Sequence, residues 1–177
     1  MTDNSINKSV IRFGKILFKY RAVIAAPFFV ILVVFSKSCY LQVLSSIFIV
    51  TGLMLRIWAA GYIGEKSREN KFTAQYAIIN GPYHYLKHPL YLGNFFLVLG
   101  VILLFCPPIW LGILIIILFV FVYLLIINSE LNYLKDLPKK EMKFKLANAK
   151  GEISTILVMT FIFLIYIVAR WGLSQNR

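Results

Sequence analysis

The sequence predicts an all-α membrane protein with about five transmembrane helices, and three observations carry that prediction. Hydrophobic residues make up 60% of the 177 positions and the mean hydropathy is +0.78, where a soluble domain would be nearer half apolar. Apolar runs of about the 17–25 residues that a helix needs to cross hydrocarbon recur along the chain. These runs lack the alternation of barrel strands, and in lipid only helices or closed barrels satisfy the backbone. The formal charge of +12 does not point to nucleic acid. Its basic residues sit in blocks between apolar runs, not on one soluble face.

Taken in order, the elements read as one integral membrane domain over residues 1–177. The N-terminal stretch carries Lys8, Arg12, Lys15, Lys19 and Arg21. It reads as a retained topology signal, because no small-residue cleavage site follows the first apolar run. That first span covers residues 21–36 and ends in a tight polar turn around Lys37 and Cys39. The second span covers 41–63 and contains one charge, Arg56. A polar connection, 64–71, leads through a mixed segment to residues 81–93, which read GPYHYLKHPLYLG. Two prolines, two histidines, three tyrosines and a lysine in so short a stretch are hard to explain as lipid-facing helix.

Pro89 is well placed to start the third span, 89–106. Cys106-Pro107-Pro108 ends it, since neither proline continues the hydrogen-bond ladder. The fourth span, 109–127, is free of charge, and the third and fourth form a helical hairpin. Residues 128–152 are polar and basic with intermittent apolar positions. They read as one or two interfacial helices interrupted at Pro138. A fifth span follows at 153–171.

Charge counting sets the orientation. Besides the five N-terminal basic residues, Lys66, Arg68, Lys71 and Lys87 lie between the second and third spans. Lys135, Lys139, Lys140, Lys143, Lys145 and Lys150 lie between the fourth and fifth. The opposite side keeps only Lys37, Arg170 and Arg177. The N-terminus is therefore expected in the cytoplasm and the C-terminus outside, with the 81–93 stretch and the lysine-rich connection on one cytoplasmic face. Cys39 and Cys106 both fall on the outer side, where a disulfide is conceivable. Their apolar neighbours favour unpaired thiols.

The 81–93 stretch resembles the GPYRYVRHPxYxG signature of the isoprenylcysteine carboxyl methyltransferase and phospholipid methyltransferase superfamily. Residues 52–59, GLMLRIWA, followed by Gly64, are similar to that superfamily's G-x-x-x-R-x-W-A…G segment. The resemblance is continuous from Gly52 to Gly93. Beyond it, Glu130-Leu131-Asn132-Tyr133-Leu134 aligns with a paired-glutamate element, with Leu131 in place of the second glutamate. The C-terminal Gly, Tyr and Arg pattern of the superfamily finds no counterpart in 135–152.

What the resemblance implies is a cytoplasmic site for S-adenosylmethionine. Its cofactor-binding candidates are Tyr83, Tyr85, Lys87, His88, Pro89, Tyr91, Gly93 and Glu130, and its catalytic candidates are Glu130 and Arg56. Pro89 opens a helix whose free N–H groups can meet a carboxylate. The tyrosines offer faces to a sulfonium cation. Lys87 stands where arginine is usual and keeps the charge without the planar two-pronged donor. Gly81 and Gly93 suit tight backbone geometry. Arg56 either snorkels to the interface or faces the bundle to hold a carboxylate or phosphate. His84 and His88 are four apart, but Pro89 makes them straddle a helix start, so no metal site is expected.

The implied activity is methyl transfer from S-adenosylmethionine to a lipid or prenylated acceptor drawn from the bilayer, most closely of the isoprenylcysteine carboxyl methyltransferase kind. Phospholipid (ethanolamine) N-methylation is the alternative. A reductase- or isomerase-like protein, or a non-catalytic one on the same scaffold, also stays open. No nucleic acid partner is expected, and oligomeric state is not legible.

Overall fold

The computed structural model describes residues 3–37, 39–63 and 74–175, and side chains between residues 12 and 171 of these. The connection 64–71, with Lys66, Arg68, Lys71 and the Gly64 of the sequence motif, lies outside the described residues, as do the side chain of Lys8 and Arg177. Five long apolar helices are joined by short elements. In chain order the helices are α1 (Asp3–Val34), α2 (Gln42–Ile63), α3 (Pro82–Tyr85, a single turn among the short elements), α4 (Pro89–Phe105), α5 (Ile109–Leu134) and α6 (Ile153–Gln175). A two-residue strand β1 (Ala77–Ile78) pairs in parallel with β2 (Lys139–Lys140), and a 3-10 helix, Leu146–Glu152, leads into α6. Four helices are long and apolar enough to cross a membrane, and α4 is a shorter apolar helix of 17 residues. The outward faces carry Val23, Ile117, Phe121, Leu124, Phe161 and Val168, each more than half exposed. In water such a surface would aggregate, and in hydrocarbon it is the solvated one. The chain is an integral membrane protein.

Small residues decide how the helices meet. α2 and α4 run antiparallel and in close contact along their length. A Cβ on Gly52 would stand 2.9 Å from the Gly93 carbonyl, and one on Gly100 would stand 2.5 Å from Ile49 and 3.1 Å from the Ser45 carbonyl. The buried Ser45 hydroxyl donates to the Gly100 carbonyl at 2.8 Å. With no hydrophobic drive between helices in lipid, close approach of this kind and polar bonds across it supply the attraction. α1 lies on α5 by the same device, with Gly14 against Ser129 and the Leu125 carbonyl.

One end of the bundle is closed by an apolar cluster. Leu32 of α1, Phe105 of α4, Leu111 and Ile115 of α5 and Tyr166 of α6 meet there. The ring of Phe105 takes Phe29 and Tyr166 edge-on at 5.8 and 5.7 Å. At this end Cys39 and Cys106 form a disulfide with their Cα atoms 6.2 Å apart, which corrects the expectation of unpaired thiols. The reason is tertiary. The turn after α1 lies against the α4–α5 hairpin, and the Lys37 N–H donates to the Phe105 carbonyl at 2.9 Å.

Three other expectations change at the opposite end. The N-terminal stretch is helix, continuous with the first span, because Gly14 and Phe18, four apart, form a buried stripe facing α5. α5 does not stop at residue 127 but runs to Leu134, with Ser129 fully buried beneath α1. Residues 135–152 are not interfacial α-helices. Residues 138–145 run extended across the end of α2, because other partners satisfy their backbone, and 146–152 form the 3-10 helix. The Ala77 N–H donates to the Pro138 carbonyl, the Asn80 amide exchanges two hydrogen bonds with Met142 at 2.7 and 2.9 Å, and the Lys145 N–H donates to the Gly61 carbonyl at 3.1 Å.

Candidate active site

The stretch 81–93 folds as its residues dictate. Gly81 sits at φ +61°, a left-handed conformation with the Tyr62 ring where a Cβ would be, so only glycine fits without strain. Pro82 and Pro89, both fully buried, each open a helix, as their fixed φ and missing N–H favour. Between them the chain turns at Leu86, whose N–H closes α3 on the Pro82 carbonyl at 2.8 Å. This places His88 at the cap of α4 with its side chain free to leave the cap.

That side chain reaches α5. His88 Nδ1 stands 3.3 Å from Glu130 Oε2, and the imidazole lies over the Tyr91 ring, 5.6 Å between centroids and 18° from parallel. Tyr91 meets Tyr123 of α5 edge-on at 5.3 Å, and Tyr123 stacks on Phe119 at 4.1 Å. Of this group, His88 Nε2 is buried without a partner, and Glu130 Oε2 meets His88 Nδ1 outside hydrogen-bond geometry. Leaving a buried polar atom unpaired costs of the order of 1–3 kcal/mol, so such an atom marks a place where a ligand can bind.

A second polar group lies beside the first. Arg56 of α2 faces inward and is 9% exposed. Its Nε and Nη2 donate to the two oxygens of Glu152 at 2.8 and 3.0 Å, and its Nη1 donates to the Asn94 side chain. Glu152 closes the 3-10 helix, is 1% exposed and also accepts from Thr155 at 2.8 Å. Asn94 in turn donates to the Tyr123 hydroxyl at 2.9 Å. A polar line therefore runs Glu152–Arg56–Asn94–Tyr123, and Tyr123 abuts Tyr91 and with it Glu130 and His88. Tyr83 stands between the two groups, its hydroxyl 3.5 Å from the Ala59 carbonyl. Burial, and next the charge of Glu130, raises its phenol well above the ordinary value; Tyr83 stays neutral and can donate.

Of the residues singled out from sequence, the structure brings together His88, Pro89, Tyr91, Glu130 and Tyr83. Gly93 packs against Arg56 and the Gly52 carbonyl, holding α4 on α2. Tyr85, 77% exposed, and Lys87, also exposed, stand outside these contacts. Arg56 faces the bundle and holds a carboxylate, and that carboxylate is the chain's own Glu152. Sequence reasoning missed Asn94, Tyr123 and Glu152. A polar amide inside an otherwise apolar span was the signal for Asn94. For Glu152, whose partner is 96 residues away, no local pattern gave one.

Fold and site together define an integral membrane protein with a cluster of polar and aromatic side chains gathered where α2, α3, α4 and α5 meet. The family model for phospholipid methyltransferase matches residues 40–140. This is more than half of the chain, which belongs to that family and to the membrane methyltransferases in general. The match takes in both sequence motifs and Glu130, and ends before Glu152. Neither the search of curated proteins nor that of solved structures returned a match.

Proposed function

We propose that the chain transfers a methyl group from S-adenosylmethionine to a lipid-borne acceptor, at the His88–Tyr91–Glu130 cluster. The observation that carries this reading is the buried, unpartnered His88 Nε2 beside the Glu130 carboxylate and the Tyr91 ring. The residues fit the cofactor. An aromatic face suits a sulfonium cation, a carboxylate suits a hydroxyl or amino donor, and the N–H groups that open α4 suit a carboxylate. When bound, S-adenosylmethionine supplies an activated methyl carbon for in-line displacement. The protein's part is then to align the acceptor and exclude water. Arg56 acts through Asn94 and Tyr123 as a positioning residue, since its three donor nitrogens are occupied by Glu152 and Asn94.

Between acceptor classes, the Glu130–His88 contact favours an amine such as that of a phospholipid. An amine must shed a proton as it is methylated, and Glu130 and His88 can take it. A prenylcysteine carboxylate would need no base, and it is the second reading because it uses the same alignment. The site end is taken as cytoplasmic, supported by the lysines around it and by the disulfide at the far end, which persists in oxidising compartments.

The test is calorimetric titration of the detergent-purified protein with S-adenosylhomocysteine, repeated on His88→Ala and Glu130→Ala. Micromolar binding, lost in both variants, is the expected result. No binding by the intact protein would overturn methyl transfer at this site. Radiolabelled methyl recovered in lipid then separates the acceptors, since mild base releases a methyl ester and leaves an N-methyl group in place.

A further inference from the structure

We infer that the segment between α5 and α6 is a preformed docking strip for anionic lipid headgroups in the leaflet beside it. Six lysines lie between residues 135 and 150 (Lys135, Lys139, Lys140, Lys143, Lys145 and Lys150), and all are exposed. Of the acidic residues in the same stretch, Asp136 and Glu141 form no ion pair with these lysines among the described residues. Glu152, just beyond, is buried on Arg56 and adds no charge to the surface. Among the described residues the strip is therefore cationic, with six exposed lysines against Asp136 and Glu141.

Its position decides the partner. It begins one residue after Leu134, where the membrane-crossing α5 ends, and stops just before α6. A segment held between two such ends lies at the headgroup level of the bilayer. Leu146 lies among the lysines and is 71% exposed, so an apolar side chain can enter the acyl boundary while the ammonium groups stay with the phosphates. Clusters of four to eight basic residues immediately beside a transmembrane helix attract anionic lipid in this manner.

The strip is also rigid before any lipid arrives. β1 and β2 pair, Asn80 grips Met142 through both amide atoms, the Asn148 side chain donates to the Gly61 carbonyl at 3.1 Å, and Phe144 packs on Tyr62 at 5.8 Å. Lys140 lies over the Tyr76 ring at 4.8 Å. Little ordering is then required on binding, in contrast to a disordered basic tail.

The experiment titrates the full chain in neutral detergent with phosphatidylglycerol or phosphatidylcholine and counts retained lipid by native mass spectrometry. Phosphatidylglycerol should be retained in preference, and the preference should fall with added salt. Lys139→Gln, Lys140→Gln and Lys143→Gln combined should weaken phosphatidylglycerol retention by roughly a hundredfold, about fivefold for each lysine near an anionic surface. A second variant combining Lys143→Gln, Lys145→Gln and Lys150→Gln leaves β2 untouched and should lose a similar factor. Glycerol phosphate at equal concentration should not compete. Equal retention of the two lipids, an unchanged preference in the second variant, or tighter binding of an oligonucleotide than of phosphatidylglycerol would each overturn the assignment.

Discussion

Removing the Glu152 carboxylate should be the most damaging single change in this molecule outside the helix-packing glycines. Arg56 is 9% exposed, and two of its three nitrogens are satisfied by Glu152. Glu152→Ala therefore leaves a guanidinium inside the bundle with only Asn94 to meet it. Deleting one partner of a buried pair costs about 3–5 kcal/mol, most of it the stranded charge and not the lost attraction. At about 2–4 °C per kcal/mol for a chain of this size, thermal unfolding in detergent should fall by roughly 6–20 °C. Arg56→Met alone should cost a similar amount, since it strands the carboxylate. The combination Arg56→Met with Glu152→Leu should recover much of the loss, because a well-packed apolar pair can replace a buried ion pair with little penalty. The double-mutant cycle measures this coupling. Losses below about 1 kcal/mol for Glu152→Ala, or strictly additive single losses, would refute the buried-pair reasoning.

Three further outcomes follow from geometry already described. Gly100→Ala brings a methyl group within 2.5 Å of Ile49 and 3.1 Å of the Ser45 carbonyl, and should cost about 1–3 kcal/mol in unfolding experiments by forcing α2 from α4. Cys39→Ser with Cys106→Ser opens a loop with a sequence separation of 67; the loss should approach about 4 kcal/mol by chain entropy, with S-adenosylhomocysteine binding unchanged because the disulfide lies at the far end of the bundle. The Tyr83 phenol is raised by burial, so its contribution to stability is complete below the ordinary phenol value near pH 10 and is lost as pH rises from there through the folded value. Spectrophotometric titration of the protein against Tyr83→Phe should show that this phenolate forms above the ordinary phenol range, or only on unfolding.

Helix type and order were legible because hydrocarbon imposes strong rules on backbone and composition. α2 and α4 begin and end within a residue of their expected bounds, and the paired prolines after Cys106 mark the hairpin turn. What could not be read was anything settled by a distant partner. α5 reads as ending at residue 127 if polar residues are taken to mean water, yet Ser129 is buried under Gly14 of α1. The 135–152 segment reads as amphipathic helix until the pairing of Asn80 with Met142 is known. His88, Tyr91 and Glu130 were named from motifs on separate helices, and their contact lies in the tertiary structure. Glu152 sits in a stretch with no motif at all, although it supplies the carboxylate for the most buried charge of the motif region.

The Arg56–Glu152 pair also has a meaning in time. Its two halves are separated by 96 residues, and synthesis runs at about 5–20 residues per second. For roughly 5–20 s after Arg56 is made, its partner Glu152 has therefore not yet been made. During that interval Asn94 of α4 is the partner already made that the folded protein gives this arginine. The arrival of the segment before α6 ends the wait, so the bundle's buried ion pair closes late in synthesis.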